Sequence, residues 1–171
     1  MTPVQTLFGF KGRIRRTHWW LWVIGLAVAH VAAAAVISLG LGLNVFAAES
    51  PLSTLFGAAR RLPVWAAVPF ELLFLWPTTA LGVKRLQDRN IPGWPVVAFY
   101  ALAMVMGFVT RQDVGAAAGK FSGAGGLLLM SFNLVYLAVA IGFLVTLGFL
   151  AGTPGDNRFG PSPKADTAPA E

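Results

Sequence analysis

Few side chains in this sequence could do chemistry, and their types narrow that chemistry. There is no cysteine, so disulfides, thiolate nucleophiles and cysteine-based zinc sites are excluded. The 171 residues include two histidines, His18 and His30, and seven acids. Their spacing makes no Ser-His-Asp arrangement, no paired-carboxylate site and no metal-ligand cluster, so neither metal nor cofactor is expected. Two groupings remain. The first is basic: Arg13, Arg16, Arg85, Asp88, Arg89, Asn157 and Arg158, spread over three polar stretches. Guanidinium groups brought together would hold a phosphate or carboxylate. The second is Glu71, His30 and Asn133, each inside an apolar run. A carboxylate and an imidazole at one membrane depth would handle a proton or ion, or hydrogen-bond two helices together.

The elements that must position these groups are apolar. The chain is 56% hydrophobic and only 12% charged, with a mean hydropathy of +0.68. Soluble domains carry about 25% charged residues, because their surface faces water. This surface faces lipid. A bilayer core of about 30 Å needs about 20 helical residues. Apolar runs of suitable length cover about 19–46, 62–83 and 126–151, and a shorter one covers 94–110. The first and last hold no charge, and the second holds Glu71 alone. Membrane β-strands would alternate apolar and polar residues, which these runs do not do. Val45-Phe46-Ala47 resembles a signal-peptide cleavage site. The run before it is nearly twice the usual apolar signal region of about 7–15 residues, so it reads as a retained helix.

The expected fold is an all-α integral membrane protein, a four-transmembrane-helix bundle. Residues 1–18 form a basic interfacial segment, 19–152 the membrane domain, and 153–171 a tail that is disordered after about 161. Nine of the 13 Lys and Arg residues fall on the N-terminal segment, the second loop and the tail, against four on the other two loops. The positive-inside effect makes the nine-residue side cytoplasmic, with both termini there. The formal charge of +6 then suits anionic headgroups, and nucleic acid is not expected as a partner. Most of the six tryptophans lie near span ends, where indole prefers the headgroup level, although Trp76 lies about two turns in.

Three stretches carry more pattern than a connector needs. Leu7-Phe8-Gly9-Phe10-Lys11-Gly12-Arg13-Ile14-Arg15-Arg16 sets apolar side chains beside a basic cluster, suited to an anionic leaflet or to a plain positive-inside anchor. In Lys84-Arg85-Leu86-Gln87-Asp88-Arg89-Asn90-Ile91-Pro92-Gly93-Trp94, a continuing helix puts Asp88 within reach of both Lys84 and Arg85. Asn90 ends that helix, Pro92-Gly93 fits a type II turn, and Trp94 leads into the next span. Gly152-Thr153-Pro154-Gly155-Asp156-Asn157-Arg158-Phe159-Gly160-Pro161 stops the last helix. Taken in order, the three stretches resemble the domain-of-unknown-function 805 family, the YhaH-like bacterial inner-membrane proteins. The resemblance spans Phe8 to about Pro163 and departs at Gln87, where the family commonly has His. It implies an inner-membrane location and a helical fold, and brings no reaction with it.

The expected topology sets all three stretches on one face, within about 20 Å of each other in a bundle of ordinary interhelical distance. Arg13, Arg16, Arg85, Asp88, Arg89, Asn157 and Arg158 are therefore expected to form one cytoplasmic polar cap. It would bind an anionic lipid headgroup or a protein partner; alternatively, Asp88 only neutralises its neighbours and ties the tail to the loop. A homo-oligomer is a further partner to consider. In the second run, Pro69 and Pro77 free the carbonyls of Trp65 and Leu73. His30 runs the opposite way and reaches a similar depth to Glu71, with Asn133 as a third member. That set serves either a small transporter or channel, or a buried strut. A lipid-modifying enzyme working from the cap is the remaining alternative, but no catalytic constellation supports it. Gly115-Ala116-Ala117-Ala118-Gly119-Lys120-Phe121 evokes a P-loop, yet has three residues between its glycines and no closing Ser or Thr. It reads as a linker, and Gly148 and Gly152 as a close-approach pair.

Overall fold

The computed structural model describes residues 2–43, 62–111 and 124–163. The cleavage-like site at 45–47, the P-loop-like run at 115–121 and the tail beyond 163 lie outside the described residues. The described elements are helical: α1 (Pro3–Phe8), α2 (Arg16–Gly40), α3 (Val64–Asp88), α4 (Trp94–Arg111) and α5 (Ala124–Leu144), the last running into a π-helical turn, Val145–Phe149.

Three helical segments are long and apolar enough to cross a membrane: Arg16–Gly40, Val64–Asp88 and Met130–Phe149. Trp94–Val105 is a shorter apolar helix. Large apolar side chains stand exposed along them, including Leu21, Val28 and Val36 on α2 and Leu134, Val135 and Ile141 on α5. In water that surface would be a liability; in lipid it is the solvent-matched face.

The short helix α1 is specified locally. Thr2 and Gln5 form a reciprocal capping box, and Pro3 occupies the first turn, where its missing N–H costs nothing. Helix α3 is the hub, in contact with α1, α2, α4 and the π turn. It stays helical through both Pro69 and Pro77, and it runs past the apolar segment to bury Lys84, Arg85 and Asp88. It ends in a Schellman motif: Ile91 N–H donates to the Leu86 carbonyl (3.0 Å) and Asn90 N–H to the Gln87 carbonyl (3.0 Å).

Asn90 supplies the left-handed residue of that motif, at φ 60°. The expected type II turn needs positive φ at Gly93, and Gly93 is not among the positive-φ glycines. Glycine is required there by contact instead, because a Cβ would collide with the Val83 side chain. On the same interface, a Cβ on Gly82, next to Val83 on α3, would lie 2.7 Å from Val96. These two glycines let α3 and α4 pack closely.

The core at this end holds Ile14, Trp19, Leu81, Val83, Leu86, Val96 and Leu147. A second cluster, Ala34, Leu62, Ala67 and Phe70, joins α2 to α3 near the opposite end.

Candidate functional site

The N-terminal segment, the α3–α4 connection and the C-terminal segment meet at one end of the helices, and Asp88 lies where they meet. Its carboxylate accepts from Arg13 Nε at Oδ1 (3.1 Å) and from Arg85 Nη1 at Oδ2. Both arginine side chains are 1% exposed and that of Asp88 6%. Two cations against one anion leave this buried group at a net charge of +1. Burial of that kind is tolerated only when the remaining donors find acceptors.

Backbone carbonyls are those acceptors. Arg13 Nη1 donates to the carbonyls of Gly155 (2.6 Å) and Gly160 (3.3 Å), and Nη2 to Thr153 O (2.7 Å) and Thr153 Oγ1 (3.4 Å). Arg85 Nε donates to Leu147 O (2.7 Å) and its Nη2 to Leu150 O. The latter carbonyls end α5, where the helix dipole is negative and a cation is favoured. Thr153 closes the clasp: its N–H and Oγ1 both donate to the Asp88 carbonyl, at 2.9 and 3.0 Å.

Gly152 makes the clasp sterically possible, since a Cβ there would overlap the Asp88 carboxylate. Gly148, its partner in the close-approach pair, sits beneath the Trp20 ring, with a would-be Cβ 2.8 Å from Trp20 Cζ2. Trp20 Nε1 also donates to Gly148 O at 3.0 Å. The GxxxG spacing thus admits an indole of α2 and a carboxylate of α3.

Lys84 departs from expectation. It does not pair with Asp88; it is fully buried and donates to the carbonyls of Gln5 and, at 2.6 Å, Thr6. These belong to α1, so Lys84 pins α1 to α3. Lys84, Thr153 and Arg15 are the functional-end residues that the expected cap did not include. The capping box Thr2-x-x-Gln5 with Pro3 was the available signal for α1.

The other expected cap residues lie around this centre. Asn157 Nδ2 donates to Gln87 O (2.9 Å) and Thr153 Oγ1 (3.0 Å), and its Oδ1 accepts from Phe159 N–H (2.9 Å). Arg158 donates to Asn90 O at 3.0 Å and lies 4.7 Å from the Phe159 ring centroid. Arg16 is exposed and reaches Phe149 O at 3.4 Å. Arg89 is half-buried. Gln87, where the resembled family commonly has His, keeps a buried Oε1 without a hydrogen-bond partner among the described residues.

Beside the clasp is a cleft of about 570 Å³. Arg13, Arg15, Arg16 and Arg85 line it, with Asp88 as the acid among its lining residues. A second cleft of about 530 Å³ lies on the far side of Arg15, lined also by His18 and Trp22.

The intramembrane grouping is distinct. His30 Nε2 is 3.4 Å from Glu71 Oε2, and the His30 ring packs on Phe70 and Phe74, with centroids 4.8 and 4.9 Å apart. Glu71 lies 13 residues before Lys84, about 20 Å along the helix. It shares a helix face with Gly82, three turns on, which packs against α4. Its contact with His30 sets the carboxylate on the side of α3 that faces α2. Its side chain is 43% exposed and that of His30 28%. Asn133 lies on α5 with an exposed side chain.

The clasp lies within a region that matches a known family. The family model described as "Protein of unknown function (DUF805)" matches residues 7–161. The chain belongs to the DUF805 family. Among its relatives, the Escherichia coli K12 protein named "Uncharacterized protein YiiR" is 32% identical over 162 residues, covering 94% of this chain and 89% of that protein. The protein named "Inner membrane protein YhaH" from the same strain is 27% identical over 163 residues, covering 95% and 93%. No solved structure matches. The matched region begins just before Arg13 and ends just after Gly160, so it encloses every residue of the clasp.

Proposed function

We propose that this chain is a non-enzymatic, multi-pass protein of the bacterial inner membrane that binds an anionic phospholipid headgroup at its arginine-lined cleft. The observation that carries this reading is the cleft's lining of four arginines against one acid. Arg13 and Arg85 are buried and engaged at every guanidinium nitrogen by carboxylate and carbonyl partners, so the capacity for a ligand rests chiefly with the exposed Arg16. Exposed guanidinium groups next to helix ends, beside apolar surface, suit a phosphate at the headgroup level. The cytoplasmic side is the proposed location of this end, supported by the nine Lys and Arg residues on the segments that meet there.

Native mass spectrometry of the protein released from phosphatidylglycerol-containing nanodiscs tests the reading. Arg16→Ala should reduce retained phosphatidylglycerol several-fold, while Arg158→Ala, outside the cleft, should not. Equal retention in both variants and the parent would overturn it.

The His30–Glu71 contact supports a second reading, a small transporter or channel, because an ionisable pair within the membrane-spanning region is a common marker of an ion path. Proton flux into liposomes that is abolished in Glu71→Gln would favour it. Flux equal to that of protein-free liposomes would remove it.

A further inference from the structure

We infer that residues 2–12 form a re-entrant hairpin rather than a segment lying on the membrane surface. It dips from the clasp into the leaflet on that side and packs Val4 and Phe8 against acyl chains.

Contacts with α3 fix the path of the segment at three levels. Arg13 is held by Asp88, the last residue of that helix. Lys84 donates to the carbonyls of Gln5 and Thr6. Trp76 Nε1 donates to the Phe8 carbonyl at 3.2 Å, and the Phe10 and Trp76 rings meet edge to face, with centroids 5.2 Å apart. Trp76 precedes Asp88 by 12 residues, about 18 Å along the helix. Half of a 30 Å hydrocarbon core is about 15 Å. Helix α1 therefore descends from Pro3, which lines the second cleft beside Gly12 and Arg13, to Phe8. The chain turns at Gly9 and Phe10 and climbs back to Arg13.

Hydrogen bonding separates a submerged helix from one lying in water. The last four carbonyls of a helix have no partner within it, and at a surface water satisfies them. Hydrocarbon offers no such partner, so protein must supply one. Three of these carbonyls in α1, those of Gln5, Thr6 and Phe8, accept from side chains of α3. The exposed residues have the matching character. Pro3–Phe8 carries no charge, and Val4, Phe8 and the anchoring Trp76 are all exposed. Gln5 lies in the upper turn, where its Oε1 accepts from Thr2 N–H at 3.1 Å. Lys11 stands exposed on the climbing limb, where a four-carbon stem suffices to bring its ammonium to the headgroups.

The chain has no cysteine, so Val4→Cys and Phe8→Cys each introduce a single thiol for a nitroxide label. Neither substitution removes the backbone carbonyl that Trp76 holds. Power-saturation electron paramagnetic resonance in phosphatidylcholine–phosphatidylglycerol nanodiscs compares collisions with oxygen, which partitions into hydrocarbon, and with a water-soluble nickel chelate. Leu73→Cys, at an exposed position of α3, marks the hydrocarbon, and Arg158→Cys marks the water. The oxygen-to-nickel ratio at position 8 should exceed that at 158 several-fold and approach that at 73, with position 4 between. A ratio at 8 equal to that at 158 would overturn the insertion. Equal, intermediate ratios at 4 and 8 would overturn the hairpin in favour of a helix lying flat among the headgroups. Should Phe8→Cys fail to fold, Val4→Cys decides the insertion alone, by a ratio above that at 158 or equal to it.

Discussion

Asp88 and Gly152 are in contact so close that no side chain fits between them: a Cβ at position 152 would overlap the Asp88 carboxylate. The carboxylate also holds Arg13 and Arg85. One missing methyl group on the C-terminal segment thus lets a buried acid hold both an arginine of its own helix and one of the N-terminal segment.

Gly152→Ala should accordingly loosen the whole end of the bundle. The added methyl meets a fixed, doubly bonded carboxylate, and overpacking of that kind costs about 1–3 kcal/mol. Gly142, on α5, has nothing within 4 Å of a would-be Cβ, so Gly142→Ala should be close to neutral. Thermal unfolding in the same detergent compares the two; equal melting temperatures would contradict the contact.

Removing the acid should be worse than removing a peripheral base. Asp88→Ala leaves two buried guanidinium groups without a counter-charge, a loss of about 3–5 kcal/mol for a broken buried pair. Arg158→Ala removes an exposed hydrogen bond to Asn90 O and should cost well under half as much. Folded yield and unfolding midpoints of the two variants would show the order.

Lys84→Met separates anchoring from charge. The substitution keeps a long apolar stem at a fully buried position but leaves the Gln5 and Thr6 carbonyls without their ammonium donor. Hydrogen exchange should quicken across Pro3–Phe8 and stay unchanged in the α3–α4 connection. Unaltered protection of α1 would mean that Lys84 does not hold it.

Asn90 tests the helix terminus. Its φ of 60° is uncomfortable for a residue with a Cβ, by roughly 1–2 kcal/mol for ordinary side chains. Asn90→Gly should be neutral or stabilising, and Asn90→Val destabilising by about that amount, as read from unfolding midpoints. The reverse order would rule out the Schellman assignment.

Much of this architecture was legible from composition and order alone. Long uncharged runs must be helices in lipid, because backbone polar groups there have no water to turn to. The three polar stretches were visible as units because basic, glycine and asparagine residues are out of place in such a chain. The His30–Glu71 contact followed from counting residues inward from opposite ends. What could not be read was which partner each polar side chain takes. Lys84 and Arg85 are neighbours on one helix, both within reach of Asp88 by spacing. Helix α1 supplies carbonyls to one of them, and the end of α5 supplies carbonyls to the other.

Turn chemistry shows the same division. Pro92-Gly93 is a valid type II signal, yet Gly93 is needed for the approach of Val83, and Asn90 turns the chain. Gly148 and Gly152 have the spacing of a helix-packing pair, and what decides their use is that an indole of α2 and a carboxylate of α3 reach them. The sequence by itself determined the apolar spans, the family and the three polar stretches, since each follows from hydrophobicity and local residue order. Only the tertiary structure decided that Arg13 joins Arg85 on Asp88 while Lys84 binds α1, because Arg13 and α1 lie far from α3 in the chain and meet it only when the helices pack.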